Sequence, residues 1–325
     1  MRNLQRALLV LCLLVSAFEG CAPDAPHNNP LDPASPNRKT DGNLSGRVLT
    51  LNSLTLGIAG ALITIEGTNL AELTATDGSF NFSNAPSGNI IVVISKSSYL
   101  SDTIKANLQA GGSFDTVVHL DALPQIDTAS VVTSKIDHWY ISPVYTDTVT
   151  AAVTDPDGLI DIKTVYVQIG PLTFEMGHVA GNIFETVIND TSLPNQDPQW
   201  LIGKQFNVVA IDSENGTGKS MGFYVTRIIE SEPSPTYPVT QDTTTHFPKL
   251  DWNPPVVSFD YTYQLQVVSL ANGPLPSKEK ISSDTLDYSY PDSLPGGYYY
   301  WTVAVVDQFG NSSCSKEASF FVPSK

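Results

Sequence analysis

Charge is scarce in this 325-residue chain, and positive charge scarcer still. Only 15% of residues are charged, with 17 lysines and arginines against 33 aspartates and glutamates, and the formal net charge is -16. A nucleic-acid-binding surface needs a basic footprint to displace counterions, so that class is excluded. An acidic surface also disfavours anionic bilayers, so any hold on a membrane must be covalent or apolar. Cysteine is scarce too. Of the three, Cys12 lies in an apolar run and Cys21 just after it, which leaves Cys314 alone and rules out a disulfide framework. Cys314 reads as a free, partly buried strand residue. The five histidines (His27, His119, His138, His178 and His246) are scattered, with no paired spacing for zinc. No G-x-S-x-G elbow occurs. The stretch ENGTGKS (Glu214 to Ser220) ends like a phosphate-binding loop, but Ser213 stands where that loop needs glycine and an alternating segment follows instead of a helix. It reads as a hairpin turn. With short modules, no long inserted loops and no cofactor motif, the chain reads as non-catalytic.

What is abundant favours strands. Hydrophobic residues make up 41%, enough for packed cores, and Thr, Val, Ile and Tyr fill the place of the missing charges. β-Branched and aromatic side chains suit a pleated surface. The 23 prolines and 22 glycines are spread along the chain as punctuation between short strands. The fold class expected is all-β: three tandem β-sandwich modules after a signal peptide and a disordered tether.

The N-terminus carries Arg2 and Arg6, then the unbroken apolar run ALLVLCLLVSAF (Ala7 to Phe18). That run is too short to span a bilayer as a helix and matches the apolar core of an export signal. Phe18-Glu19-Gly20-Cys21 resembles a bacterial lipoprotein signal, with Gly20 and Cys21 in place, Phe18 as the bulky apolar residue and Glu19 departing from the pattern. Ordinary cleavage after Ala22 is the competing reading, since Gly20-Cys21-Ala22 has small-x-small form. The resemblance implies lipid attachment at Cys21. With Ala22 where retention in the inner membrane favours Asp, it implies anchorage in the bacterial outer membrane or at the cell surface. Residues 1–20 are then a signal peptide and 21–43, rich in Pro, Asn, Asp and Ser, a tether.

Residues 44–123 alternate apolar and polar positions in short runs, as in Ala61 to Ile65, around one continuous run, Ile90 to Ile94. Gly46-Arg47-Val48, Gly60-Ala61, Gly67-Thr68, Thr76-Asp77-Gly78-Ser79-Phe80, Pro86-Ser87-Gly88 and Ser98-Tyr99 occur in order. This stretch resembles the carboxypeptidase regulatory-like domain, a transthyretin-like β-sandwich of about seven strands. The resemblance implies no peptidase activity, and only through its superfamily does it imply carbohydrate binding. Phe80 and Phe82 point the same way and are expected to fill the sandwich.

Residues 124–230 place Val149, Ala151 and Val153 on one face, then TDPDGLIDI (Thr154 to Ile162), then a later Ala210-x-Asp212-x-x-Gly216. The pair of patterns resembles bacterial immunoglobulin-like or cadherin-like domains. Residues 235–323 contain Trp252, the alternating YTYQLQVVS, and Tyr299-x-Trp301-x-Val303-x-Val305-x-Asp307. This resembles a fibronectin type III domain, which implies that Trp252 and one face of the last strand are core. The Pro-bearing segments DALPQID and ESEPSPTYP read as semi-rigid linkers.

Two sets of residues are candidates for a site. Asp155, Asp157 and Asp161 offer hard oxygen ligands close in sequence, which suits calcium, but the set lacks further ligands and a distal Glu, and a structural turn is the favoured reading. Trp139, Tyr140 and Trp200 are aromatics in or near loops, suited to stacking on sugar rings or simply to packing. The partners expected are the membrane through a lipid anchor, and glycans or envelope proteins.

Overall fold

The computed structural model describes residues 26–30, 32 and 34–324. The signal peptide and Cys21 lie outside the described residues. The chain is all-β, without an α-helix among the described residues, and its contacts divide it into two compact units, Met1–Leu120 and Asp121–Lys325.

The first unit is a seven-stranded sandwich. Its strands are β1 (Asp41–Thr50), β2 (Leu62–Ile65), β3 (Ala71–Leu73), β4 (Ser79–Pro86), β5 (Gly88–Ser95), β6 (Asp102–Leu108) and β7 (Ser113–Leu120). One sheet has the order β4-β1-β7, with β1 and β7 parallel; the other has the order β3-β2-β5-β6. Strand β1 begins at Asp41, ahead of the first apolar residue of the pattern, because Asp41 and Gly42 already pair with Pro86 and Ala85. Just upstream, the tether segment is folded back by turns, with the Lys39 amide donating to the Pro30 carbonyl at 2.8 Å. Alternation buries Leu44 and Val48 from β1, Ile63 and Ile65 from β2, Phe80 and Phe82 from β4, and Val92 and Ile94 from β5 in one core. Gly78 makes the turn into β4 at φ +80°; a Cβ there would lie 2.2 Å from the Val48 carbonyl oxygen, so no side chain fits.

The second unit opens with an eight-stranded sandwich. Strands β8 (Gln125–Ile136), β9 (Val144–Thr154), β10 (Ile162–Ile169), β11 (Leu172–Glu175), β12 (Gly177–Ala180), β13 (Ile183–Asn189), β14 (Phe206–Asp212) and β15 (Thr217–Lys219) form two sheets, β11-β10-β14-β15 and β12-β13-β9-β8. Its core holds Val149, Ala151, Val153, Val165, Val167, Phe206 and Val208. The glycine-rich ENGTGKS stretch makes the β14–β15 hairpin.

A further sandwich follows in the same unit: β16 (Ser234–Tyr237), β17 (Asp242–Thr243), β18 (Lys249–Asn253), β19 (Tyr261–Ser269), β20 (Gly273–Pro274), β21 (Lys278–Ser282), β22 (Asp287–Ser289), β23 (Gly297–Asp307), β24 (Ser312–Cys314) and β25 (Ala318–Val322). Tyr299, Trp301 and Val303 of β23 face Trp252 of β18 and Tyr263 of β19 in its core, and the Trp301 indole donates to the Pro238 carbonyl at 2.9 Å. Cys314 is free and half-buried on β24, and burial pushes its thiol pKa up.

These two sandwiches are fused. Strand β24 pairs in parallel with β8, Ser312 to Ser134 and Cys314 to Ile136, so a single 11-stranded sheet runs through both. Asn311 locks the join. Its side-chain Oδ1 accepts from the Thr133 amide at 3.0 Å, and its side-chain Nδ2 donates to Thr226 Oγ1 at 2.7 Å and Asp307 Oδ2 at 2.9 Å. The segment ESEPSPTYP is therefore held rather than loose. The Lys135 ammonium donates to the Glu230 carbonyl and pairs with Glu232 at 2.8 Å, and Pro235 sits within β16.

Candidate functional site: an acidic pocket and an aromatic cleft

Strand register gathers carboxylates at one end of the second unit. The DPDGLID loop joins β9 to β10. Within it the Gly158 amide donates to the Asp155 carbonyl at 3.0 Å, and Asp155 Oδ1 accepts from the Asp157 amide at 2.8 Å. This is the local turn that Asp-Pro-Asp-Gly favours. Because Ile162 of β10 pairs with Asp212 of β14, the end of that loop lies beside the β14–β15 hairpin. Because Gln125 of β8 pairs with Thr154 of β9, the residues just before β8 lie there too, and Asp157 Oδ2 accepts from the Ala122 amide at 2.7 Å.

Six carboxylates meet as a result. Oxygens of Asp121, Asp212 and Glu214 lie within 4.8 Å of one another, as do those of Asp121, Asp157 and Asp161, and those of Asp155, Asp161 and Asp212. Asp121, Asp161 and Asp212 each belong to two of the three groups, and they are 8%, 5% and 0% exposed. Asp157 is buried as well, Asp155 is half-buried and Glu214 is exposed. Asp212 Oδ1 accepts from the Gly216 amide at 2.6 Å. Both oxygens of Asp121, and Oδ2 of Asp155, Asp161 and Asp212, are buried with no hydrogen-bond partner. Burial, reinforced by Asp212, Glu214, Asp161 and Asp157, pushes the Asp121 pKa up to about 7. Burial chiefly, with the Asp157, Asp161 and Asp212 carboxylates adding, pushes Asp155 up to about 6. Glu214 is also raised, by desolvation and by Asp161 and Asp212.

The sequence pattern supplies Asp155, Asp157 and Asp161, and the structure brings all three together. Asp121, Asp212 and Glu214 were not among the sequence candidates. Asp212 sits in the Ala-x-Asp-x-x-Gly pattern, a usable signal. Asp121 sits in a stretch that reads as linker and gives none.

The aromatic candidates separate. Trp139 and Tyr140 lie in the β8–β9 connection, 62% and 99% exposed, on the rim of a cleft of about 780 Å³ also lined by Asp137, Glu232, Pro235 and Lys316. The Trp139 indole is fixed: it donates to the Glu317 carbonyl at 2.7 Å, and Lys316 Nζ stands 5.0 Å from the ring centre. His138 Nδ1 lies 2.9 Å from Glu317 Oε1. Trp200 is elsewhere, in a short 3-10 turn (Pro198–Leu201), half-buried against the core of the eight-stranded sandwich with Lys204 over its ring. The structure does not bring it to the cleft.

No protein-family model matches the chain, and no curated protein matches it. Three solved structures resemble it at low sequence identity. The chicken CNTN1 FN1–FN3 domains align with a TM-score of 0.34 at 12% identity, covering 88% of this chain and 96% of that one. The Clostridium thermocellum CbhA fibronectin(III)-like modules give 0.30 at 12% identity, over 62% and 94%. BcpA, the major pilin subunit of Bacillus cereus, gives 0.29 at 9% identity, over 83% and 91%.

Proposed function

We propose that this chain is a non-catalytic binding and scaffolding protein of the bacterial envelope, held at the membrane by a lipid on Cys21, with carbohydrate as its ligand. The observation that carries the ligand reading is the Trp139–Tyr140 pair. The two adjacent aromatics are exposed together, and one ring is held in a fixed orientation beside a cleft with polar groups on its walls. A sugar presents apolar C–H faces and a hydroxyl rim; the first suits the rings and the second suits Asp137, Glu232 and Lys316. The fused sandwiches give the cleft rigid walls, so little ordering is needed on binding.

A glycan array probed with the full chain, alongside Trp139→Ala and Tyr140→Ala, tests this. Binding to a defined set of glycans that both variants lose is expected; no glycan bound, or binding indifferent to both changes, overturns it. For the anchor, a clickable fatty acid should label the wild type and not Cys21→Ala, and equal labelling of both would overturn the anchor.

A second reading has one specific observation in its favour. Strand β12 is the edge of the 11-stranded sheet and all four of its residues are exposed. An open edge can add a strand from a protein partner. Pull-down from envelope extract that is lost on Val179→Pro, with Trp139→Ala unaffected, would favour that reading.

A further inference from the structure

We propose that the acidic pocket at the start of the second unit is a calcium site with Asp121, Asp155, Asp157, Asp161, Asp212 and Glu214 as its ligands. The donor set is oxygen only, with neither histidine nor cysteine, which selects hard cations and excludes the zinc and copper class. Calcium takes about six to eight oxygens at about 2.3–2.6 Å, so oxygens on opposite sides of one ion stand about 5 Å apart. The three groups of carboxylate oxygens, each within 4.8 Å, have that spread. Asp121, Asp161 and Asp212 link the groups pairwise, so one ion shares ligands with any neighbour.

An acidic turn built only for structure would satisfy its own oxygens. Here the backbone amides of Ala122, Asp157 and Gly216 take one oxygen each from Asp157, Asp155 and Asp212 and hold those side chains in place. Five other oxygens, two of them on Asp121, remain buried and unpartnered. The groups acting on Asp121 are all acidic: Asp212, Glu214, Asp161 and Asp157. Buried carboxylates of one sign, with unfilled acceptor positions in three linked groups, need a cation to offset their desolvation and repulsion. Magnesium is disfavoured because it demands a tight octahedron at about 2.0–2.1 Å and keeps much of its water, whereas this pocket offers many carboxylates from separate loops.

Isothermal titration and thermal unfolding of the chelator-treated full chain test the proposal, with calcium chloride to 10 mM, roughly ten times the weak end for extracellular modules. A saturable calcium isotherm and a rise in Tm are expected, with equimolar magnesium giving less than half the shift. Neither carboxylate oxygen of Asp121 has a hydrogen-bond partner, so Asp121→Asn removes a charge and one ligand oxygen without removing a protein contact. It should melt no lower than wild type in chelator and lose at least tenfold in calcium affinity. Glu214→Gln, at the exposed side, should fold normally and weaken binding as well. Absence of a calcium isotherm in the wild type overturns the proposal. So does unchanged affinity in both variants, because general attraction to a chain of net charge -16 would survive either change.

Discussion

Asp147 carries a pH-dependent penalty that a single amide should remove. It sits on β9 among the inward-facing Val149, Ala151 and Val153, opposite Thr133 on β8 and Ile188 on β13, and is 2% exposed. Its Oδ2 is buried without a partner. Lys135, which shares that face of β8, is turned to the Glu230 carbonyl and to Glu232. Burial, and then the Asp190 carboxylate, push the Asp147 pKa up to about 7. In the unfolded chain it ionises near about 3.9. The sign follows from proton binding. Below the unfolded value both states hold the proton and stability is complete. As pH rises towards 7 the unfolded chain releases it first, so the folded state loses stability across that window. Above the folded value the loss is constant. Three pH units at about 1.4 kcal/mol each set an upper bound of about 4 kcal/mol, and local relaxation lowers it to about 2–4 kcal/mol. Asp147→Asn keeps the shape and removes the ionisation. Urea unfolding in chelator should show the variant within about 0.5 kcal/mol of wild type at pH 4 and about 2–4 kcal/mol more stable at pH 8. An equal gain at both pH values, or no gain at pH 8, would refute the reasoning.

Trp301 is fully buried, and Trp301→Ala should cost about 3–5 kcal/mol of second-unit stability in the same urea assay. Trp301→Phe should cost less but still more than about 1 kcal/mol, because the Pro238 carbonyl loses its donor. Asn311→Ala orphans the Thr133 amide and removes one of the four partners of the Asp307 carboxylate, and should cost about 2–4 kcal/mol. Hydrogen exchange should show amides of β8 and β24 opening first; uniform loss of protection across the unit would argue that the join is not where Asn311 acts.

The cores were legible in the sequence because period-two alternation states which face of a strand is buried: Tyr299, Trp301, Val303 and Val305 are all inside, as is Trp252. The join between the two sandwiches was not. It depends on three Ser- and Cys-bearing residues of β24 lying parallel to β8, a short pairing with no apolar rhythm, and on one asparagine whose partners come from distant segments. The acidic pocket lies between these cases. Asp155, Asp157 and Asp161 are close in sequence and carry a turn signature, so spacing alone finds them. Asp212 and Asp121 join them only through register: Ile162 opposite Asp212, and Gln125 opposite Thr154. A slip of one residue in either ladder would turn the adjoining side chains to the other face and scatter the cluster. The pocket therefore draws its precision from the apolar alternation that fixes those ladders. Substitutions that loosen Val165 or Val208 in the core should weaken calcium binding without touching a ligand, whereas equal losses of core stability in the first unit should leave it unchanged.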